Sequence, residues 1–386
     1  MSETVMTPRE RVRAALNHQE PDRVPIALGG SAQHLAEQRY VVLRNHFDVE
    51  DIPRRLLVGF YTTPDYNPVL DQLGTDIRYI HIRPPQNFVH NSLLDKDQFV
   101  EFTDEWGITH RFSTGHYELA GAPLADSFSE QGINTFPWPD AYDPTRVEGV
   151  AEEVKHLYEE TDYALALHRP VYGNLWEMAK LLLGMEKALM AVILEPEMLG
   201  RLFWKLAEVQ FGFYDAMLEI VGPYIEYLEM AEDLGTNLGP MFSPEFYRDV
   251  MKPVHIQFIK QIKDKAPGVK VLLHNDGAIR EFLPDIIEAG FDILNPIESH
   301  LPGMDPAGLK RDFGDALVFQ GGVNVKEILP KGTEEEIRTE VRKRIEEMGP
   351  DGGYILGPTH NLSNDIPLEN ILIFFKAGLE LGKYPI

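Results

Sequence analysis

Eight short apolar runs recur along this chain, most closing on a glycine or a polar residue and separated from one another by helical patterns. That alternation limits the fold more than any other feature. The runs are VPIALGG (24–30), DIRYIHIRP (76–84), YALALHRPVYG (163–173), YIEYLEMAED (224–233), VKVLLHNDG (269–277), DILNPIES (292–299), ALVFQGGV (316–323) and GGYILGPTH (352–360). Most do not alternate cleanly between apolar and polar, as suits strands covered on both faces of a parallel sheet. Between them lie the long amphipathic segments MLGRLFWKLAEVQFGFYDAMLEI and PEFYRDVMKPVHIQFIKQIKDK, several shorter ones, and the C-terminal PLENILIFFKAGLELG. The glycines of EAG and EMG stand where helices should stop. Strand and helix in eightfold alternation predict a (β/α)8 TIM barrel, with residues 1–386 forming one domain. A doubly wound open sheet is the alternative, but no Gly-x-Gly-x-x-Gly follows the first run.

One stretch interrupts the alternation. Residues 98–116, QFVEFTDEWGITHRFSTGH, read as a β-hairpin turning around Asp104 to Gly107. With the loop through FPWPD (136–140) it is expected to be an insertion that rims the barrel mouth. At the N-terminus, Thr7, Pro8 and Glu10 match a capped helix start. No apolar leader precedes them, and the most apolar run, LLLGMEKALMAVIL, is short and carries Glu186 and Lys187. A cytoplasmic protein with no membrane span is expected.

Charge and cysteine content exclude whole classes of chemistry. With 36 basic against 61 acidic residues the net charge is −25, a field that repels polyanions and argues against nucleic acid. There is no cysteine, hence no disulfide, no thiolate nucleophile and no thiolate metal ligand.

Catalytic groups of such barrels come from the C-terminal ends of the strands. Here those ends supply Glu232 and Asp233, His274 and Asp276, Asn295 and Glu298, Gln320, and His360. His274 and Asp276 are two apart, so a strand aims both to one side. A metal pair, an acid/base pair and a hydrogen-bonded strand end all match that spacing. With His360 brought alongside by barrel closure, two imidazoles and a carboxylate make an N/O site for a divalent ion with an open position. The plainer account has His274 as a structural hydrogen-bonder and Asp276-Gly277 as the start of a turn. Tyr172, Trp176, Trp106 and His116 are candidates for an aromatic pocket, although most such residues are core. His34 and Arg169 occupy other strand ends. Asn295 and Gln320 are candidates for substrate contact.

Several long stretches are familiar in type. TPRERVRAALNHQEPDRVPI, EDLGTNLGPMFSPEFYRDVMKP, HNDGAIREFLPDIIEAGFDILNPIE, FGDALVFQGGVNVKEILPKGT and GGYILGPTHNLSNDIPLENI, in that order, resemble the uroporphyrinogen decarboxylase-like superfamily. The resemblance covers nearly the whole chain and implies a (β/α)8 barrel. True decarboxylases of the superfamily hold their acidic tetrapyrrole with an Arg-rich segment after the first strand. Here that place reads LGGSAQHLAEQRY, with no arginine between Arg23 and Arg39. Asp76 aligns loosely with the decarboxylase's catalytic aspartate.

The other branch of the superfamily comprises cobalamin-dependent methyltransferases. Members acting on coenzyme M are similar in carrying His-x-Cys on the fifth strand and a further Cys after the last, as zinc ligands. His274 matches that His, Asp276 falls at the first Cys and His360 near the second. With both thiolates replaced, the resemblance implies the demethylating class. In that class a methyl group passes from a small O-methyl or N-methyl donor to cob(I)alamin carried by a separate corrinoid protein. Zinc or another divalent ion on His274, Asp276, His360 and Glu232 would polarise the leaving group, with Asp233 beside it. The donor is expected to be uncharged or cationic, such as a methoxylated aromatic, and a homodimer is left open. Two alternatives stand: a divergent decarboxylase or lyase of a small acid, and a barrel that binds a ligand without catalysis.

Overall fold

Parallel strands buried on both faces can lose their edges only by closing on themselves, and this chain does so. The computed structural model describes residues 5–50, 55–56, 62–63, 67–86, 101–113 and 116–386. In chain order the strands are β1 (Arg55–Leu56), β2 (Thr62–Thr63), β3 (Ile77–Ile80), β4 (Glu101–Thr103), β5 (Thr109–Ser113) and β6 (His116–Gly121). They continue with β7 (Ala164–Leu167), β8 (Tyr227–Ala231), β9 (Lys270–His274), β10 (Ile293–Asn295), β11 (Val318–Val323) and β12 (Tyr354–Pro358). Seven of them form one parallel sheet in the order β12-β11-β10-β9-β8-β7-β3.

The first apolar run supplies the eighth stave. Ala27 N–H donates to the Leu356 carbonyl and Leu356 N–H to that of Pro25, each at 2.8 Å. On its other side Asp76 N–H donates to the Ile26 carbonyl at 2.9 Å. The segment thus lies between β12 and β3 and closes the (β/α)8 barrel.

Counting by twos along the staves separates inside from outside. Ala27, Ile77, Tyr79, Ala164, Ala166, Tyr227, Leu272, Ile293, Val318 and Ile355 pack together in the barrel's interior. Their neighbours Leu165, Leu167, Leu228, Met230, Val271, Leu273, Leu294, Phe319 and Leu356 belong instead to the larger core under the helices. The helix Pro8–Leu16 plugs the lower end with Val12, Ala15 and Leu16. Its start is the expected capping box: Thr7 accepts from Glu10 N–H, and the Glu10 carboxylate accepts from Thr7 N–H.

Asp76 belongs to this lower end, because it precedes β3 rather than following it. Fully buried, it takes Arg11 at 2.6 Å, Arg23 at 2.8 Å and Ile26 N–H at 2.7 Å. It ties the plug helix and the first stave to β3, at the opposite end from the mouth. The loose match to a catalytic aspartate is therefore overturned: Asp76 is a clamp.

The insertion after β3 is a three-stranded antiparallel sheet, β4-β5-β6, one strand more than the expected hairpin. Its turn is where the sequence placed it, with Asp104 Oδ1 accepting from the N–H groups of Trp106 and Ile108 at 2.9 Å each. Trp106 is buried and stacks on Phe213 of the helix Pro196–Val221, ring centroids 6.0 Å apart. His110 is buried as well, its Nε2 2.9 Å from Asp104 Oδ2. Among the described residues, none of the insertion lines the mouth cavity. The expectation that Trp106 and His110 rim the pocket is corrected: Trp106 packs the insertion on the barrel's flank through Phe213, and His110 is buried against Asp104 within the insertion. The side chain of His116 lies outside the described residues. Among the described residues no helix is long and apolar enough to cross a membrane.

Candidate metal centre at the barrel mouth

Above the apolar layer the inward positions turn polar. Two residues beyond Tyr227, Leu272, Ile293 and Val318 stand Glu229, His274, Asn295 and Gln320, all buried. Two residues past the end of β9 comes Asp276, and four beyond Glu229 comes Asp233. The same period-two count that builds the core therefore delivers the site.

His274 is held by its neighbour in register, since Asn295 pairs with it across β9 and β10. Asn295 Nδ2 donates to the Gln320 carbonyl at 3.2 Å, which turns Oδ1 toward His274 Nδ1 at 2.7 Å. His274 must then donate from Nδ1, and Nε2 is the nitrogen presented at the mouth. Asp276 Oδ2 lies 3.9 Å from that nitrogen and 3.7 Å from Nε2 of His360. Asp233 Oδ1 accepts from Asp276 N–H at 3.1 Å. Ligand atoms of Asp233, His274 and Asp276 all lie within 4.8 Å of one another. His360 stands beside this group, its ring centroid 6.5 Å from that of His274.

Two glycines let the loops after β8 and β9 meet. Gly277 has φ +96°, and a Cβ there would fall 2.5 Å from the carbonyl carbon of Gly235. Only residues without side chains can cross so closely, and the crossing sets Asp233 against Asp276.

The electrostatics suit a cation. Burial pushes the Asp276 carboxyl upward, His274 and His360 oppose that, and Asp233 adds to it; the result is raised. Burial likewise lowers His360, against the pull of Asp276, and so favours a neutral imidazole. Two crowded carboxylates beside a His360 imidazole kept neutral by burial lack positive charge. A divalent ion bound by N and O ligands supplies it, so the residues fit zinc or another ion of that kind.

The group opens into a cavity of about 160 Å³, room for roughly ten water-sized groups. Its other walls include Tyr172, His34, His168, Arg169, Glu177 and Asn361. The Glu177 carboxyl is pushed up to about 7, first by burial and then by Asp233, with Lys180 opposing. Burial also lowers His34, to about 3, with Arg169 adding to the effect.

Several sequence expectations are corrected by strand parity. Glu232 follows Leu228 and Met230, which face the helices, and it faces the helices too. Fully buried, it accepts from the N–H groups of Leu175 and Trp176 at the start of the helix Leu175–Leu183, and lies 3.2 Å from His255 Nε2. Its oxygens are thereby committed to a helix cap, and it is no part of the ligand group. Trp176 is core, its indole donating to Met241 Sδ at 3.2 Å and packing edge-on to Phe242. Asn295 and Gln320 lie beneath the cavity rather than on its wall: Asn295 orients His274, and Gln320 Nε2 donates to Gln33 at 3.1 Å. Glu298 is taken by Lys326 at 2.7 Å and by Gly277 N–H at 2.9 Å. Of the proposed substrate contacts, Tyr172 lines the cavity. His168, Glu177 and Asn361 were not singled out from sequence. For His168 a signal existed, because it continues the inward count Ala164, Ala166 along ALALH.

Comparison with known proteins bears on both fold and chemistry. A model of the family described as uroporphyrinogen decarboxylase (URO-D) matches residues 117–380. The uroporphyrinogen decarboxylase of Psychromonas ingrahamii is 24% identical over 373 residues, covering 90% of this chain and 98% of that protein. One from Legionella pneumophila is 26% identical over 144 residues, 37% of this chain and 39% of its own length. Among solved structures, a methyltransferase from Methanosarcina mazei superposes with a TM-score of 0.66 at 17% identity, covering 97% of this chain and 99% of that one. At that identity the likeness speaks to the fold, which is the same barrel.

Proposed function

This chain belongs to the uroporphyrinogen decarboxylase family, and on that premise we propose that it transfers a methyl group. The donor is a small O-methyl or N-methyl compound, and the acceptor is cob(I)alamin on a separate corrinoid protein. The observation that carries this reading is the open group formed by Asp233, His274 and Asp276, with His360 beside it, facing a cavity of small-molecule size. A divalent ion held there would supply Lewis acidity toward the oxygen or nitrogen that loses the methyl group.

The chain's own residues do the rest. Asn295 keeps Nε2 of His274 directed at the mouth. The Gly235–Gly277 crossing holds the two aspartates together. Tyr172 offers an aromatic wall against which a methoxylated ring can pack. No side-chain nucleophile is required, because reduced cobalamin is itself the nucleophile.

Decarboxylation of the acidic tetrapyrrole, the activity in the relatives' names, has less to support it. Asp76 lies at the far end of the barrel, paired to Arg11 and Arg23. Among the described residues Arg169 is the one guanidinium lining the cavity, and a polycarboxylate needs several. Decarboxylation of a small acid remains the second reading, favoured by the relatives' names and by Arg169 itself.

The test is elemental analysis of the purified protein, followed by a cob(I)alamin methylation assay over a panel of methoxy and N-methyl donors. Bound divalent metal and donor-dependent loss of cob(I)alamin absorbance are expected, with His274→Ala folded but inactive. Metal-loaded protein that methylates cob(I)alamin from no donor, or His274→Ala with undiminished activity, refutes the assignment.

A further inference from the structure

In a chain with this acid excess, buried cations find carboxylates readily. Arg11, Arg23, Arg78, Arg83 and Arg146 are each ion-paired. Arg169 is different. It follows β7 by two residues, is half-buried and lines the mouth cavity, yet its guanidinium has no ion pair and no hydrogen bond with any described residue. Tyr172 stands beside it, its ring centroid 5.6 Å from the guanidinium carbon.

A guanidinium half-removed from water with no carboxylate hydrogen-bonded to it is a poor arrangement unless something else brings that partner; the buried Glu229 acts on it electrostatically but makes no ion pair with it. The carboxylates of the cavity do not fill that role. Asp233 and Asp276 are turned to one another and to the imidazoles, and Glu177 is paired with Lys180. The two ends of the cavity are thus opposite in character: an acidic N/O group that suits a cation, and a guanidinium fork that suits an anion.

We propose that the small molecule bound here carries a carboxylate, and that Arg169 holds it while the methyl-bearing oxygen or nitrogen faces Asp233, His274 and Asp276. This replaces the sequence expectation of an uncharged or cationic donor. A benzoate-sized acid fits a cavity of about 160 Å³ and packs on Tyr172. The proposal rests on the methyl-transfer reading for the word donor; the carboxylate site itself does not.

The experiment is calorimetric titration of 3-methoxybenzoate and of the neutral 3-methoxybenzamide into zinc-loaded wild type, Arg169→Lys and Arg169→Gln. The same two compounds are then offered in the cob(I)alamin assay. The acid should bind wild type at least tenfold more tightly than the amide. Arg169→Gln should weaken the acid by about 10- to 100-fold and leave the amide unchanged, as expected for a lost charge-assisted hydrogen bond. Arg169→Lys, which keeps the charge without the fork, should retain part of the preference and serves if the Gln variant fails to fold. Equal binding of acid and amide, or no binding of either, overturns the proposal. So does acid binding that Arg169→Gln leaves untouched, because the carboxylate would then sit on the metal. Arg169-dependent binding of the acid with no methyl transfer would refute the methyltransferase reading and leave the carboxylate site standing.

Discussion

Glu229 offers the most quantitative test of the barrel's interior. It sits on β8 with its carboxylate fully buried, accepting from Ser31 N–H at 3.0 Å and from Ser31 Oγ at 3.2 Å. Burial is the dominant influence on its carboxyl; the Ser31 N–H and Arg169 oppose it, and the outcome is a rise from 4.5 to about 7. A carboxyl raised by folding binds its proton more tightly in the native state. Its contribution to stability is therefore full below the unfolded value and fades as pH climbs through the folded one. The separation is about 2.5 on the pH scale at 1.36 kcal/mol each, so roughly 3 kcal/mol is lost between pH 4.5 and pH 8.

Glu229→Gln removes the titration while keeping an oxygen for Ser31. Urea unfolding of both proteins at pH 5, 7 and 9 isolates the effect, since every other titrating group is shared. The variant should match wild type within about 1 kcal/mol at pH 5 and exceed it by roughly 3 kcal/mol at pH 9. A gap that stays constant with pH, or one that favours wild type as pH rises, would refute the reasoning.

Two further substitutions separate the site from its supports. Asn295→Ala should weaken zinc binding about 10- to 100-fold, the usual cost of losing an orienting partner, read by competition with a chromophoric chelator. Glu232→Ala should lower unfolding stability by roughly 2–5 kcal/mol, because it strands buried N–H groups and His255. It should leave zinc per chain unchanged, whereas Asp233→Ala should lose zinc and keep stability; the reverse pattern would reinstate Glu232 as a ligand.

The architecture was legible in the sequence because strand and helix periodicities are local. Each apolar run announces a stave, each amphipathic stretch a covering helix, and the two-residue spacing of His274 and Asp276 puts both on one side wherever the strand lies. The N-terminal capping box was equally local, needing only Thr7, Pro8 and Glu10.

Only the closed barrel decided what those side chains meet. Glu232 and Asp233 are adjacent in sequence, yet one step of strand parity sends the first to a helix cap and the second to the cavity. Asn295 was read as a substrate contact because its registry with His274 depends on which strand pairs with β9. Asp76 reads as a catalytic candidate until chain direction places it at the plugged end. Trp106 reads as a pocket aromatic until the long helix Pro196–Val221 offers Phe213 as its partner. Periodicity belongs to one segment and survives in the linear string. Register, closure and the crossing of Gly235 over Gly277 are relations between segments far apart in the chain, and they exist only once it has folded.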